Sequence, residues 1–145
     1  MPFNKLPILV VVIVCLLMSA CSDASKPPLV ATDIVITEPL PGKRMSAGYL
    51  SLTNNTDVAI TISSVVSPEF EAVEIHESLL EDGVAKMRRI PVLSIPAGAT
   101  LTLERGGKHL MLMRPTGDTQ QVTLNFHSGD AILLGVDAQI IPRNN

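Results

Sequence analysis

Short extended runs separated by turn signals recur from about residue 31 onward, and they constrain the fold more than any other feature of the chain. The runs are rich in Val, Ile and Thr or alternate in polarity, as strands do, and Gly, Pro, Asn and Asp punctuate them. The predicted strands span residues 33–37, 45–53, 58–66, 72–79, 84–90, 100–104, 108–113, 121–127 and 131–141. No convincing helix follows the N-terminal segment. About eight or nine short strands at regular spacing predict an all-β sandwich or barrel.

The N-terminal segment predicts export. Lys5 precedes an apolar run from Leu6 to Met18, and small residues follow it directly before Cys21. A basic residue, a short apolar core and a small-residue cut site are typical of a secretory signal, and the run is short for a membrane span. The pattern resembles a bacterial lipobox, with Met18 where Leu is usual. We expect a lipoprotein signal peptide at 1–20 and lipid on Cys21; an ordinary cleaved signal is the alternative.

The rest of the chain divides into a flexible tether at 21–30, beginning with the lipidated cysteine, and a β-sandwich domain at 31–143. The predicted location is the periplasmic space, on a membrane; Ser22 resembles the class sorted to an outer membrane where one exists. Loss of Cys15 with the signal leaves no free thiol in the domain. A metal site without cysteine suits an oxidising compartment.

Charge and motifs exclude several classes of function. Lys5 is one of 11 basic residues, so its removal leaves 10 against 14 acidic residues and a net charge of −4. A mildly acidic chain without a basic patch or an aromatic platform gives no support for nucleic-acid binding. The sequence has neither a Gly-x-Ser-x-Gly elbow nor a His-Glu-x-x-His helix, and we expect no enzyme.

A stretch with unusual chemistry follows the turn at Gly106 and Gly107. Side chains of an extended strand alternate between faces, so His109, Met111 and Met113 share one face while the intervening leucines point to the core. Imidazole with thioether is a ligand set for a soft metal such as Cu(I). The alternative is that the methionines fill gaps in a core.

A second pair comes from the hairpin around Asp82 and Gly83. A four-residue loop would place His76 directly opposite Met87, whereas a two-residue loop would place Met87 diagonal to it. Either register keeps both side chains on one face, within roughly 5–8 Å at Cβ. Val73 and Ile75 then point to the core. Two imidazoles and two thioethers could close on one ion.

The spacing of these four residues, His76-x10-Met87-x21-His109-x-Met111, resembles the signature of the periplasmic copper chaperone PCu(A)C family. Further matches are spread over nearly the whole domain, in the segments 45–54, 74–77, 83–88, 95–98 and 106–113. The resemblance implies a cupredoxin-like Greek-key β-sandwich that binds copper, preferably as Cu(I), and passes it to a protein such as a cytochrome c oxidase subunit during assembly of its copper centre. It implies His76, Met87, His109 and Met111 as the ligands, and we expect a monomer.

Neighbouring residues receive lesser roles. Met113 is expected to support the site or to pack beside it, and Met45 to pack locally. We expect His127 to be exposed and not a ligand, and Lys108 to lie on the rim of the site. Two other functions stay open: a copper buffer or resistance protein that holds its ion, and a structural lipoprotein without a metal.

Overall fold

The computed structural model describes residues 26–39, 41–117 and 120–143. The predicted signal and Cys21 lie outside the described residues. Within the described ranges the chain forms eleven strands and no helix. The strands are β1 (Leu29–Thr37), β2 (Met45–Asn54), β3 (Ile60–Ile62), β4 (Ser64–Val66), β5 (Phe70–Glu81), β6 (Val84–Ile90), β7 (Leu93–Ile95), β8 (Thr100–Leu103), β9 (Lys108–Pro115), β10 (Gln121–Ser128) and β11 (Ala131–Ile141).

Seven of the strands form a closed hydrogen-bonded ring. The order is β1-β11-β10-β4-β5-β9-β2, and β2 pairs with β1 again. An irregularity in β1 between Thr32 and Val35 lets this strand follow β2 along most of its length and meet β11 in parallel at its end. β8 extends the sheet from β2 and β6 from β5, while β3 and β7 form a separate two-stranded sheet. The all-β prediction is confirmed.

The strand count differs from the predicted eight or nine for two reasons. The predicted strand 58–66 divides at Ser63, because β3 pairs with β7 whereas β4 pairs with β10. The Ser63 amide donates to the His127 carbonyl at 2.8 Å, which fixes the crossing between the two sheets. β7 is an additional strand that the sequence pattern did not predict.

The hydrophobic core lies inside the closed ring and is formed mainly by inward-facing side chains of its strands. On β9, Leu110 and Leu112 are fully buried, as the alternation predicted, and Ile75 on β5 is 6% exposed. Gly48 of β2 faces this core, and a Cβ at its position would lie 3.1 Å from Leu110 Cβ. The close approach of β2 to β9 therefore depends on a residue without a side chain.

The domain begins earlier than the sequence indicated. Leu29 and Val30 belong to β1 and not to a tether, and the Leu29 side chain is 2% exposed. Asn55 fixes the two residues before β1. Its backbone N–H donates to the Pro28 carbonyl, and its side-chain Nδ2 donates to the Pro27 carbonyl. None of the described residues forms a helix long and apolar enough to cross a membrane.

Candidate metal centre

Two histidines face each other at the centre of the sheet. In the antiparallel pair of β5 and β9, His76 is directly opposite His109. Their ring centroids are 6.2 Å apart, and the ring planes are inclined by 51°. The His109 residue is 6% exposed and the His76 side chain 14% exposed. The sheet register thus brings two imidazoles together in a position that is largely shielded from water.

The hairpin between β5 and β6 adds Met87. Asp82 and Gly83 have φ angles of 53° and 76°, which is the conformation of a two-residue type I′ turn. The turn pairs Glu81 with Val84 and therefore Ser78 with Met87. Of the two predicted registers, the tighter loop is the one found. Met87 lies diagonal to His76 on the same face and is 53% exposed.

β9 adds Met111 two residues beyond His109. It lies opposite Glu74 on β5 and opposite Ala47 on β2. In the next row Met113 lies between Ala72 and Met45. Each of the two β9 methionines has a small alanine opposite it on one neighbouring strand, and the three torsions of Met let its side chain adapt.

Glu74 orients the imidazole of His76. The His76 Nε2 and the Glu74 Oε2 are 2.8 Å apart, and a carboxylate only accepts, so Nε2 carries the proton. This hydrogen bond lowers the pKa of Glu74; partial burial opposes the shift, and the charge of Arg89, whose Nε is 3.4 Å from Glu74 Oε1, adds to it. Nδ1 of His76 is left with its lone pair, and it is buried without a hydrogen-bond partner.

The backbone orients the second imidazole. The His109 Nδ1 lies 3.1 Å from the Gly107 carbonyl, which requires the proton on Nδ1 and leaves the lone pair on Nε2. Histidines that ligate a metal usually donate their other N–H to a carboxylate or a carbonyl in this way. Both imidazoles are therefore prepared to give a lone pair to a metal ion.

The donors gathered on this face are mainly soft or borderline, and its one nearby carboxylate, Glu74, is engaged with His76 Nε2 and Arg89. Among the described residues, no three His, Cys, Asp or Glu side chains gather closely enough to hold a metal ion. The arrangement is two imidazoles flanked by two thioethers, and such a set favours Cu(I) over the metals that prefer oxygen.

A groove with a volume of about 520 Å³ opens beside the imidazoles. Three of the four predicted ligands line it, namely Met87, His109 and Met111. Met45, which was predicted to pack locally, also lines the groove and is 42% exposed.

Two predictions about neighbouring residues are wrong, and one supporting residue was missed. Lys108 does not lie on the rim: alternation puts it on the opposite face from His109, where its Nζ donates to Glu77 Oε1 at 2.7 Å. His127 is half-buried and not exposed. Glu74 was missed as a supporting residue, although its position two residues before His76 places both on one face.

Comparison with known proteins gives the family. The model of a protein family described as "Putative lipoprotein LpqE-like" matches residues 29–138. The chain belongs to the LpqE-like family. A relative from Leifsonia xyli, "Putative lipoprotein Lxx21020", is 30% identical over 94 residues, covering 61% of this chain and 57% of the relative. A second relative, from Rickettsia prowazekii, is 28% identical over 98 residues, and the match covers 54% of that relative. The LpqE-like chain thus spans about half the length of the curated relatives it matches.

Solved structures confirm the predicted fold. The solution structure of Cu(I)-DR1885 from Deinococcus radiodurans is 28% identical with a TM-score of 0.63, and the match covers 83% of the LpqE-like chain and 82% of that chain. The copper-bound PCuAC domain from PmoF2 is 20% identical with a TM-score of 0.63, covering 80% and 94%, and shows the fold alone. The LpqE-like chain has the PCuAC fold, and the resemblance stated from its spacing is confirmed.

Proposed function

We propose that this protein is an extracytoplasmic copper chaperone, a carrier and not a catalyst, that binds one Cu(I) through His76, Met87, His109 and Met111. One observation carries the proposal: two opposed imidazoles each donate their outer N–H to a fixed acceptor, and the buried Nδ1 of His76 has no partner. A buried nitrogen without a partner costs roughly 1–3 kcal/mol, which a bound ion would recover.

The flanking thioethers select the ion. Sulfur ligands without a proton favour Cu(I), whereas Cu(II) prefers harder nitrogen and oxygen ligands in tetragonal geometry. The structures of Cu(I)-DR1885 and of the copper-bound PmoF2 domain, which share this fold, support a copper cargo. Because each imidazole must give up any proton before it binds, Cu(I) affinity should weaken in acid.

The same ligands favour delivery over storage. Thioethers are neutral and bind Cu(I) less tightly than thiolates do, so an acceptor with thiolate ligands would draw the ion away. Met87 is half-exposed beside the buried imidazoles, which gives a partner access to one ligand at a time. An acceptor such as the dinuclear copper centre of a cytochrome c oxidase subunit fits this gradient.

We place the protein on the periplasmic side of a membrane, held by lipid on Cys21. The family description names lipoproteins, which supports the anchor. Two or more acyl chains hold a protein stably, whereas one holds it marginally. Replacing Cys21 by Ser should release the protein or block its processing, and wild-type protein found soluble in the periplasmic fraction would contradict the anchor.

The metal site is tested by anaerobic titration with Cu(I) in competition with a chromophoric chelator. NMR of the methionine methyl groups is recorded during the titration. We expect one equivalent to bind, with large shifts for the Met87 and Met111 methyl groups. Met45 and Met113 lie on the same face of the sheet and serve as internal controls with smaller shifts. Shifts confined to Met45 and Met113, or no binding, would overturn the assignment.

A transfer experiment separates the chaperone from the buffer. Cu(I)-loaded protein is mixed with a reduced, metal-free copper-centre domain of an oxidase subunit, and copper is followed after separation or by NMR. We expect copper to move to the acceptor. Copper that remains on this protein at equilibrium, with no oxidase defect in a deletion strain, would favour the buffer.

A further inference from the structure

Eight of the ten lysines and arginines in the described residues fall into two groups, and Lys26 and Arg44 belong to neither. Five basic side chains on β6 and β9 form ion pairs with four glutamates of β5: Lys86 with Glu81, Arg88 and Lys108 with Glu77, Arg89 with Glu74, and Arg114 with Glu71. Around the groove the situation is the reverse. Lys43, Arg105 and Arg143 line it, and no carboxylate of residues 26–39, 41–117 or 120–143 forms an ion pair with any of them.

Two of the three cations contact neutral groups. The guanidinium carbon of Arg105 lies 5.5 Å from the centre of the Tyr49 ring, a cation–π arrangement. Arg143 donates through Nη2 to the Thr37 hydroxyl at 3.2 Å and to the Glu38 carbonyl at 3.3 Å. Neutral acceptors leave the positive charges uncompensated, in a chain whose net charge is negative.

We propose that the groove is the docking surface for the copper-exchanging partner, and that the docked element is an acidic protein segment beside that partner's own copper ligands. This inference rests on the proposed function, because the groove matters only if Met87, His109 and Met111 hold copper. Three uncompensated cations around a concave site attract carboxylates and speed encounter.

The floor of the groove suits such an encounter. The exposed thioethers of Met45 and Met87 line it, with the half-buried Met111 and the Tyr49 ring. Carboxylates of the partner segment would bind the cations on the rim of the groove. The soft copper ligands of the same segment would then reach the copper site from the side of Met87. A protein segment is favoured over an anionic membrane, because the ligands lie in a concave site that a flat lipid surface would not enter.

The test uses full-length Cu(I)-loaded protein and two reduced synthetic peptides as acceptors. Both peptides carry the same pair of cysteines; one has four glutamates around them and its twin has four lysines. The rate of copper uptake is measured at low and high salt. We expect the acidic peptide to take copper about 10-fold faster at low salt, with the advantage shrinking as salt screens the charges.

Paired variants assign the effect to the groove. The double substitution Lys43→Glu and Arg105→Glu should abolish the preference for the acidic peptide and leave the Cu(I) affinity unchanged. The matched control, Lys26→Glu and Lys86→Glu, changes net charge equally at exposed lysines outside the groove and should keep the preference. Equal rates for the two peptides, or a preference that survives the groove substitutions, would overturn the proposal.

Two further outcomes separate this proposal from its rivals. If wild-type protein fails to bind one equivalent of Cu(I), the proposed function fails. If it binds copper normally but shows no charge preference, only the docking surface fails. Vesicles of phosphatidylglycerol form a third arm, and binding to them that depends on Lys43 and Arg105, while the peptides show no preference, would assign the groove to a membrane and overturn the acidic segment.

Discussion

His76 and His127 each have a buried ring nitrogen without a hydrogen-bond partner, yet their surroundings differ. Across the strands, His76 meets His109, with Met87 and Met111 diagonal to it. His127 meets Ser64 and Ile132, beside an irregularity in β10, and neither neighbour is a soft ligand. Only at His76 does the register gather further candidate ligands around the unpartnered nitrogen, and this difference supports the proposed copper site there and not at His127.

The largest expected effect breaks this comparison at the histidines themselves. His76→Gln removes one of two opposed imidazoles and should lower Cu(I) affinity by at least about 100-fold, since even an outer hydrogen bond costs about 10- to 100-fold. His127→Gln is the matched control and should change affinity less than about twofold. The measurement is competition with a chromophoric Cu(I) chelator. A comparable loss in both variants would mean that the difference between the regions is not functional.

The second effect separates two methionines of similar exposure. Met87→Leu keeps the volume and removes the sulfur, so we expect about a 100-fold loss of Cu(I) affinity with less than about 1.5 kcal/mol change in unfolding free energy. Met45→Leu, on the same face, is the control and should bind nearly as wild type. Affinity and denaturant unfolding are measured for both. Unchanged affinity in Met87→Leu would remove Met87 from the site.

The third effect concerns Glu74, the carboxylate that accepts a hydrogen bond from the His76 imidazole. Glu74→Gln keeps an acceptor near His76 Nε2 but removes the negative charge, and we expect about a 10-fold loss of Cu(I) affinity, at the low end for such supporting groups. Glu71→Gln changes charge equally at an exposed ion pair with Arg114 and serves as the control. An unaffected Glu74→Gln variant would show that Glu74 does not tune the ligand.

The face of the sheet that carries the candidate site could be predicted from the sequence, because side chains along a strand alternate between two faces. Alternation along β9 put His109 and Met111 away from the buried leucines, and both candidate loops kept Met87 beside His76. The choice between the loops depended on positive φ angles at Asp82 and Gly83. The same alternation could have indicated Glu74, two residues before His76, but only the structure shows its hydrogen bond.

Tertiary partners decided what local pattern could not. Both halves of 58–66 are rich in β-branched residues, so nothing local shows that they join different sheets. Lys108 was placed on the rim because it neighbours His109 in sequence, although alternation sends it to the opposite face, where Glu77 binds it. The groove and its unpaired cations come from four distant segments and follow only from the closed ring.

The smallest expected effect concerns stability in the region of β10, where Glu69 ties the strand. Its Oε2 accepts from the Ser67 hydroxyl at 2.8 Å and from the Thr123 amide at 3.0 Å. Partial burial raises the pKa of Glu69, but these hydrogen bonds outweigh it and the pKa is lowered. A carboxyl whose pKa is lower in the folded state adds stability above its unfolded value near ~4.3, and this stability is lost as the pH falls through the folded value.

Glu69→Gln should therefore cost about 1 kcal/mol of unfolding free energy at pH 7, the size of a typical hydrogen bond, and the cost should shrink below about pH 4. Denaturant unfolding between pH 3 and 7 measures it, with Glu71→Gln expected to cost about 0–1 kcal/mol as an exposed ion pair. Cu(I) affinity at pH 7 should stay as in wild type, because Glu69 serves the strand and not a ligand. A loss of copper binding in Glu69→Gln equal to that in Glu74→Gln would mean that both carboxylates act through overall stability, and the special role given to Glu74 would fall.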